Sequence, residues 1–163
     1  QKLHTKTQLH LIGHLQSNKT ALAVGLYNVI QSVNSFKLLN KINKTAEQQN
    51  KTQKIFLQIN ISNTPTQTGF NEKEIIQAAK TAAKLSFVQT CGLMSIGHNT
   101  QNKKTIQKGF MRVGFIQKKI QKKINPGCVS LSIGMSQDYI LALKAGATHL
   151  RIGTALFHKR HED

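Results

Sequence analysis

The sequence predicts a parallel α/β architecture, and three observations support this class. Strand-like and helix-like stretches alternate along the chain, which is the pattern of repeated βα units. Several strand-like runs are apolar at successive positions, as expected for strands buried on both faces. A closed barrel of eight units needs roughly 250 residues, about 30 per unit, so 163 residues leave room for about five or six. The chain is therefore either a short open sheet or a barrel that lacks about two units.

Six strand-like runs are expected. Each is rich in β-branched or other apolar residues and is bounded by small or polar residues that favour turns. They span residues 9–13, 27–33, 55–61, 87–96, 128–134 and 149–153. No repeat of fixed period and no linker interrupts this series, so we expect a single domain over residues 1–163.

The first part of the chain is expected to contain two helices. Ser17 is placed to begin the first, which runs to Val24, and Ser35 begins the second, whose apolar stripe extends to Ile42. Residues 43–54 are strongly polar, and we expect a surface loop or a frayed helix end there.

Two helices are expected in the middle of the chain. Asn71 followed by Glu74 is a capping-box pattern, and apolar residues follow it at helical spacing. A longer apolar stripe runs over residues 106–124, with Gly109 and Gly114 as weak points, and Asn125-Pro126-Gly127 ends it.

The charge balance is extreme, with 23 Lys and Arg against 6 Asp and Glu and a formal net charge of +17. Such a charge suggests a nucleic-acid partner. However, the lysines are spread over most predicted helices, Trp is absent and only two Tyr are present, so a base-stacking platform is poorly supplied. We expect solvated basic surfaces, and a nucleic-acid-binding module remains the alternative.

Other features point to an ordinary cytoplasmic protein. No apolar run is long enough to cross a membrane and no secretory signal is visible. Because the first residue is Gln1 and not Met, we expect a fragment or a processed product. Cys91 and Cys128 lie in predicted strands without a CxxC pattern and are expected to be buried thiols. His10 and His14 flank a strand end, so one helix face does not present both, and no metal site is predicted.

The last two strand ends form a candidate phosphate cradle. Residues 131–136 (LSIGMS) and 151–154 (RIGT) each end an apolar run with small residues and hydroxyls. In α/β barrels, the phosphate site commonly follows the last two strands. The alternatives are that Ser136 only caps a short helix to Leu143, which Gly146 stops, and that the second glycine only makes a turn. The candidate phosphate ligands are Ser136, Gly153 and Thr154.

Five motifs in order give the chain a family resemblance. They are residues 10–19 (HLIGHLQSNK), 58–62 (QINIS), 92–96 (GLMSI), 131–136 and 151–157 (RIGTALF). Together they resemble the pyridoxal phosphate homeostasis proteins (YggS/PROSC type), whose fold is similar to the N-terminal domain of alanine racemase. The resemblance implies an incomplete TIM-like (β/α) barrel of six parallel strands that lacks the first two βα units. It also implies a cytoplasmic, non-catalytic protein that binds pyridoxal 5′-phosphate in vitamin B6 homeostasis and that would be mostly monomeric if the barrel were complete.

The resemblance and the strand positions together assign a cofactor site. Arg151 resembles the arginine that faces the pyridine nitrogen in the racemase fold, and such an arginine would keep this nitrogen unprotonated. Asn60 and Ser132 occupy strand positions that can face the barrel interior, and Met135 is expected at the barrel mouth. The expected cofactor-binding residues are Ser136, Arg151, Gly153, Thr154, Ser132, Met135 and Asn60, with no catalytic residue and no metal ligand.

The sequence also departs from the family pattern. The segment that carries the family's Schiff-base lysine is not present, so binding is expected to be non-covalent and weak, and a racemase-like activity is not expected. Gln67, Gly97 and Ile140 stand where the family usually has Lys, Pro and Glu. A barrel without two units has two open sheet edges, which predicts marginal stability for the isolated chain.

Overall fold

The computed structural model describes residues 7–62, 64 and 67–157, and it contains the six predicted strands in one parallel sheet. The strands follow one another in sequence order, each paired with the next. They are β1 (His10–Leu11), β2 (Val29–Val33), β3 (Gln53–Gln58), β4 (Val88–Met94), β5 (Ser130–Met135) and β6 (His149–Arg151). The parallel α/β prediction is therefore confirmed, while the outer residues of the predicted domain, 1–6 and 158–163, lie outside the described part.

Helices follow the strands in the expected alternation. They are α1 (Thr20–Leu26), α2 (Phe36–Gln48), α3 (Glu72–Ala82), α4 (Lys103–Lys123), α5 (Tyr139–Lys144) and α6 (Thr154–Phe157), with a 3₁₀ turn at Ser17–Lys19 before α1. In the described residues, β1 and β6 form the two edges of the sheet.

The sheet is curled into a partial barrel. In a flat sheet, strands lie about 4.8 Å apart, so β1 and β6 would be separated by roughly 24 Å. Instead, the rings of His10 on β1 and His149 on β6 lie with their centroids 5.7 Å apart. The edge strands therefore face each other across a concave surface, and the incomplete barrel, rather than an open flat sheet, is the correct interpretation.

The two faces of the sheet differ in composition. The convex face contributes to one large apolar core with the helices, which includes Ile30, Ile55 and Leu93 from the strands and Leu39 and Phe110 from the helices. The concave face holds a small apolar cluster of Val29, Phe56 and Met94, with Cys91 packed against it. The main stabilising burial is thus on the outside of the barrel wall.

Predicted helix starts are confirmed at two positions and modified at a third. The Ser35 hydroxyl accepts from the N–H of Leu38 at 3.3 Å. Asn71 and Glu74 form the predicted reciprocal capping box of α3. Ser17, in contrast, is the first residue of the 3₁₀ turn and makes no side-chain cap, so α1 itself begins at Thr20.

Residues 43–54, expected to be a surface loop or a frayed helix end, contain a regular helix end, a short connection at residues 49–52 and the start of a strand. Helix α2 continues to Gln48 and β3 begins at Gln53. The polar residues are satisfied by backbone groups: Asn43 Oδ1 accepts from the N–H of Phe87 at 3.0 Å, and the buried Gln53 amide donates to the carbonyl of Asn28 at 3.1 Å. Most polar side chains of this stretch are exposed, but those of Asn43 and Gln53 are engaged in tertiary hydrogen bonds.

Gly109 and Gly114 do not interrupt α4, which is continuous from Lys103 to Lys123. A Cβ on Gly109 would lie 2.6 Å from Cδ2 of His98, so the glycine is needed for close packing of the loop after β4. The sequence indicated that Gly109 weakens the helix, whereas in the structure its lack of a side chain allows His98 to pack against α4.

Both cysteines are free thiols, as expected. Cys91 is half-buried in β4, and Cys128 is buried two residues before β5 begins, so its placement within a strand is wrong. Burial raises the pKa of the Cys128 thiol to about 12. Within residues 7–62, 64 and 67–157, no helix is long and apolar enough to span a bilayer, and no group of three or more metal-ligating side chains is found.

Candidate functional site

A cavity of about 1010 Å³ lies at the carboxyl ends of the strands. Its wall is built by the loop after β4, the turn after β5, helix α5 and the turn after β6. Five residues of the predicted site line it, namely Met135, Ser136, Arg151, Gly153 and Thr154. This is the edge where α/β proteins bind ligands, because the loops that follow the strands converge there.

The two halves of the predicted phosphate cradle are joined by one hydroxyl. Ser136 Oγ, after β5, accepts from the backbone N–H groups of Gly153 and Ala155, after β6, each at 3.3 Å. Two N–H donors and a hydroxyl therefore converge at one point of the cavity, which is the donor set that a phosphate group requires.

The expected capping role of Ser136 is wrong. Helix α5 begins at Tyr139 with Asp138 at the N-cap position. Asp138 Oδ1 accepts from the N–H of Met135 at 2.6 Å and so closes the turn after β5. This carboxylate frees the Ser136 hydroxyl for the neighbouring turn, and Gly146 has the positive φ of 88° expected of a helix stop.

Arg151 lies at the base of the cavity, held by the barrel wall. Its Nη1 donates to the carbonyl oxygen and the hydroxyl of Ser132, both at 2.9 Å, and its Nη2 donates to the carbonyl of Ser95 at 2.8 Å. Burial lowers the pKa of the guanidinium, against the opposing effect of Asp138. Because a guanidinium has five N–H donors, it remains able to donate to a ligand while anchored to the strands.

Ser132 is placed behind Arg151 and is fully buried. Its hydroxyl donates to Gln31 Oε1 at 2.6 Å, and Gln31 Nε2 lies 2.8 Å from Nδ1 of His10. Ser132 therefore contacts the arginine and not the cavity, and its direct contact with a cofactor stays a prediction.

Asn60 organises the loop after β3. Its Nδ2 donates to the carbonyls of Thr64 and Gln67, at 2.9 and 2.8 Å, and its Oδ1 accepts from the Ser62 hydroxyl at 2.9 Å. The amide is thus engaged within its own loop, and a cofactor contact from Asn60 also stays a prediction.

The three departures from the family pattern all line the cavity. Gln67 Nε2 donates to the carbonyl of Gly97 at 3.0 Å and ties two loops together. Gly97 has a φ of 87°, a conformation that a proline cannot adopt. Ile140 is exposed and makes the mouth apolar.

The charge around the cavity favours an anion. Lys103, Lys144 and Arg151 line it, whereas Asp138 is the one carboxylate among the described lining residues and is engaged with a backbone N–H. Apolar groups of Ile96 and Tyr139 complete the wall. The arrangement suits a small ligand with a phosphate at one end and a flat apolar body.

Sequence reasoning missed Gln31, His10 and Ser95 as supporting residues. Gln31 is a polar residue within a strand predicted to be buried on both faces, and a buried polar side chain needs a hydrogen-bond partner. Its position in the sequence therefore indicated a structural or functional contact. His10 and Ser95 are likewise polar residues within predicted strands, but the sequence does not show their partners on β2 and β6.

Comparisons with known proteins agree with this fold. Residues 1–161 match the family described as "Alanine racemase, N-terminal domain". The chain is 33% identical over 156 residues to the pyridoxal phosphate homeostasis protein of Helicobacter pylori, covering 94% of this chain and 68% of that protein. The corresponding protein of Aquifex aeolicus is 30% identical, with 93% of this chain and 66% of that protein covered. The chain thus spans about two thirds of the length of these curated relatives.

Solved structures give the same result. PipY from Synechococcus elongatus with pyridoxal phosphate bound is 32% identical, with a TM-score of 0.83 over 91% of this chain and 69% of that one. PipY without the cofactor has 30% identity and a TM-score of 0.89, over 94% and 72% of the two chains. Alanine racemase from Clostridium difficile, at 15% identity over 97% of this chain and 43% of that one, shares the fold with a TM-score of 0.80. The chain belongs to the alanine racemase N-terminal domain family and, within that class, to the pyridoxal phosphate homeostasis proteins.

Proposed function

We propose that this chain is a non-catalytic, cytoplasmic pyridoxal 5′-phosphate-binding protein of vitamin B6 homeostasis, acting through a single partial-barrel domain over residues 1–163. The observation that carries the proposal is the convergence of Ser136 with the N–H groups of Gly153 and Ala155 at the cavity. PipY, to which the chain is 32% identical, holds this cofactor in its structure. The two free thiols support a reducing compartment.

The residues present fit the two ends of the cofactor. The phosphate would lie against the Ser136 hydroxyl and the N–H groups at the start of α6, with Thr154 beside it. Arg151 would donate to the pyridine nitrogen from the cavity base. Met135 at the rim would cover one side of the ring.

The same geometry supports a carrier rather than an enzyme. Bound pyridoxal phosphate supplies an electron sink that is strongest when its ring nitrogen is protonated. Arg151 does not give up its proton, so it would hold this nitrogen in the unprotonated state and weaken the sink. We propose that binding is non-covalent and that the chain is mostly monomeric once its barrel is complete.

A titration monitored by cofactor absorbance tests the phosphate assignment. We expect saturable binding of pyridoxal phosphate, and at least about tenfold weaker binding of pyridoxal, because the latter lacks the charged group that the cradle would hold. Ser136→Ala is expected to lower affinity for the phosphate form by about tenfold and to leave pyridoxal binding unchanged.

Ser17→Ala is the matched control, since Ser17 is an exposed hydroxyl on the 3₁₀ turn far along the sequence from the cradle. Equal affinity for pyridoxal and pyridoxal phosphate would contradict the cradle. Borohydride treatment followed by mass measurement checks the non-covalent part, which predicts no cofactor mass fixed to the chain.

One observation supports a second function, the binding of nucleic acid. Helix α4 carries Lys or Arg at eight of its ten exposed positions and no acidic residue. Arg112 lies 5.4 Å from the ring centre of the exposed Phe115. A filter-binding series at two salt concentrations should then show affinity that falls steeply with salt. Lys118→Gln combined with Lys122→Gln should reduce that slope, and binding that does not respond to salt would exclude this surface.

A further inference from the structure

A continuous line of hydrogen bonds crosses the concave face from the first strand to the last. It begins at His10 on β1, passes through Gln31 on β2 and Ser132 on β5, and reaches Arg151 on β6. Gln31 and Ser132 are 3% and 0% exposed, so their polar atoms depend on these contacts and not on water. The line joins an edge strand to the base of the cavity.

The donors and acceptors in this line fix its direction. Arg151 Nη1 donates to Ser132 Oγ, and this hydroxyl donates its own proton to Gln31 Oε1. With its oxygen occupied in this way, the Gln31 amide presents its NH₂ group to Nδ1 of His10. This nitrogen must then be an acceptor, which requires the neutral imidazole with its proton on Nε2.

We propose that Gln31 is a positioning residue for Arg151, oriented by neutral His10, and that protonation of His10 weakens one of the three hydrogen bonds that anchor the arginine. A protonated His10 would carry a proton on Nδ1 and demand an acceptor from Gln31. The amide would turn, its NH₂ group would face Ser132, and the buried serine hydroxyl would lose its acceptor. The contact between Ser132 Oγ and Arg151 is then weakened, although the carbonyl contacts of the guanidinium persist.

The surroundings of His10 keep it neutral at ordinary pH. His149 on β6 is the titratable side chain that faces it, and it packs edge-on against Phe56 of β3 at 5.3 Å. Burial and the neighbouring His149 both lower the pKa of His10, and burial lowers that of His149. Arg151, two links away, adds a further positive charge beyond Ser132. Proton uptake at His10 is therefore expected below the ordinary histidine range.

The first test needs no ligand. In the ¹⁵N-labelled chain, the side-chain NH₂ resonances of Gln31 and the Nε–H of Arg151 should shift with the same midpoint as the His10 ring when pH is lowered. In Ser132→Ala, the Arg151 signal should no longer follow His10, while Gln31 still does. An Arg151 signal that ignores His10 in the unmodified chain would overturn the proposal.

The second test rests on the proposed function and uses pyridoxal phosphate as the probe. The ratio of the affinities of the unmodified chain and His10→Gln cancels the ionisation of the ligand itself. Glutamine at this position keeps an acceptor for Gln31 but does not titrate. The unmodified chain should therefore weaken relative to it as pH falls from 7.5 to below the His10 midpoint found in the first test, by about fivefold in all, the equivalent of about one hydrogen bond. His14→Gln, at an exposed histidine, should track the unmodified chain.

The sign of the change separates this mechanism from a simple charge effect. A positive charge gained near an anionic ligand would raise affinity as pH falls, whereas weaker anchoring of Arg151 lowers it. A ratio that stays constant or rises at low pH would overturn the positioning role. If no variant binds pyridoxal phosphate at any pH, the proposed function fails. The ligand-free measurement then tests the coupling of His10 to Arg151 by itself.

Discussion

The two faces of the curved sheet carry different kinds of side chains. The convex face is closed by helices over a continuous apolar core, to which Ile30, Leu93 and Ile133 contribute. The concave face carries Gln31, Ser132 and other polar groups linked to one another. Alternate residues of the same strands therefore have different roles, one set in the core and the other on the concave face, because successive side chains point to opposite faces. Stability is concentrated outside, and the candidate site depends on the inside.

Truncation of the outer core should produce the largest loss of stability. Phe110 of α4 is completely buried in this core. We expect Phe110→Ala to lower the free energy of unfolding by about 3–5 kcal/mol, measured by chemical denaturation. Because the Phe110 ring packs against Gly97 of the cavity wall, pyridoxal phosphate affinity of the folded fraction should change, but by less than stability does. A selective loss of affinity without a loss of stability would break the division between the faces.

Removal of Arg151 from the concave face should mainly affect ligand binding and not stability. Arg151→Ala is expected to weaken pyridoxal phosphate binding by about 1.5–3 kcal/mol, as for a lost hydrogen bond to a charged donor, and to shift the absorbance of the bound cofactor. Arg112→Ala is the matched control, because Arg112 pairs with Glu72 at 2.7 Å on the exposed surface. Unchanged affinity and absorbance in Arg151→Ala would remove this residue from the site.

A helix cap on the outer layer should have a smaller effect. Asn71→Ala removes the side chain that accepts from the N–H groups of Lys73 and Glu74, both at 2.9 Å. The expected cost is about 1 kcal/mol of stability, seen in thermal or chemical unfolding, with no change in ligand binding. A cost near zero would show that α3 is held by its buried face alone.

The smallest expected effect is the pH dependence contributed by the two inner histidines. Because burial lowers the pKa of His10 and His149 in the folded state, the unfolded chain binds protons more readily. Their contribution to stability is therefore complete above the ordinary histidine value of about 6.5 and decreases as pH falls below it. Unfolding midpoints of the unmodified chain and of His149→Gln at pH 7.5 and 5.5 check this; a steeper decline in the variant would contradict it.

The strands and caps could be predicted because their signals are local. Apolar runs located all six strands, and the spacing of Asn71 and Glu74 located the start of α3. Residues 43–54 could not be assigned from polarity, since Gln53 is buried by contacts with a neighbouring strand end. Local composition does not record such long-range hydrogen bonds.

The site was predictable only in part for the same reason. The cradle followed from the order of the last two strand ends along the chain, which barrel topology brings together. The link from Ser132 to Gln31 joins residues 101 positions apart, and it depends on the curl of the whole sheet. The capping role of Ser136 was wrong because Asp138, two residues later, closes the turn instead.

In the proposed phosphate site, the Ser136 hydroxyl would also determine how a phosphate enters. The N–H groups of Gly153 and Ala155 already donate to this hydroxyl oxygen, so an incoming anion would have to replace it as their acceptor. Once displaced by a phosphate, the serine hydroxyl would become a donor to it. The affinity would then reflect the difference between the hydrogen bonds to the phosphate and the internal hydrogen bonds that they replace. Ser136→Ala removes both the internal acceptor and the future donor, so the loss of about tenfold expected for it is the net of these two contributions.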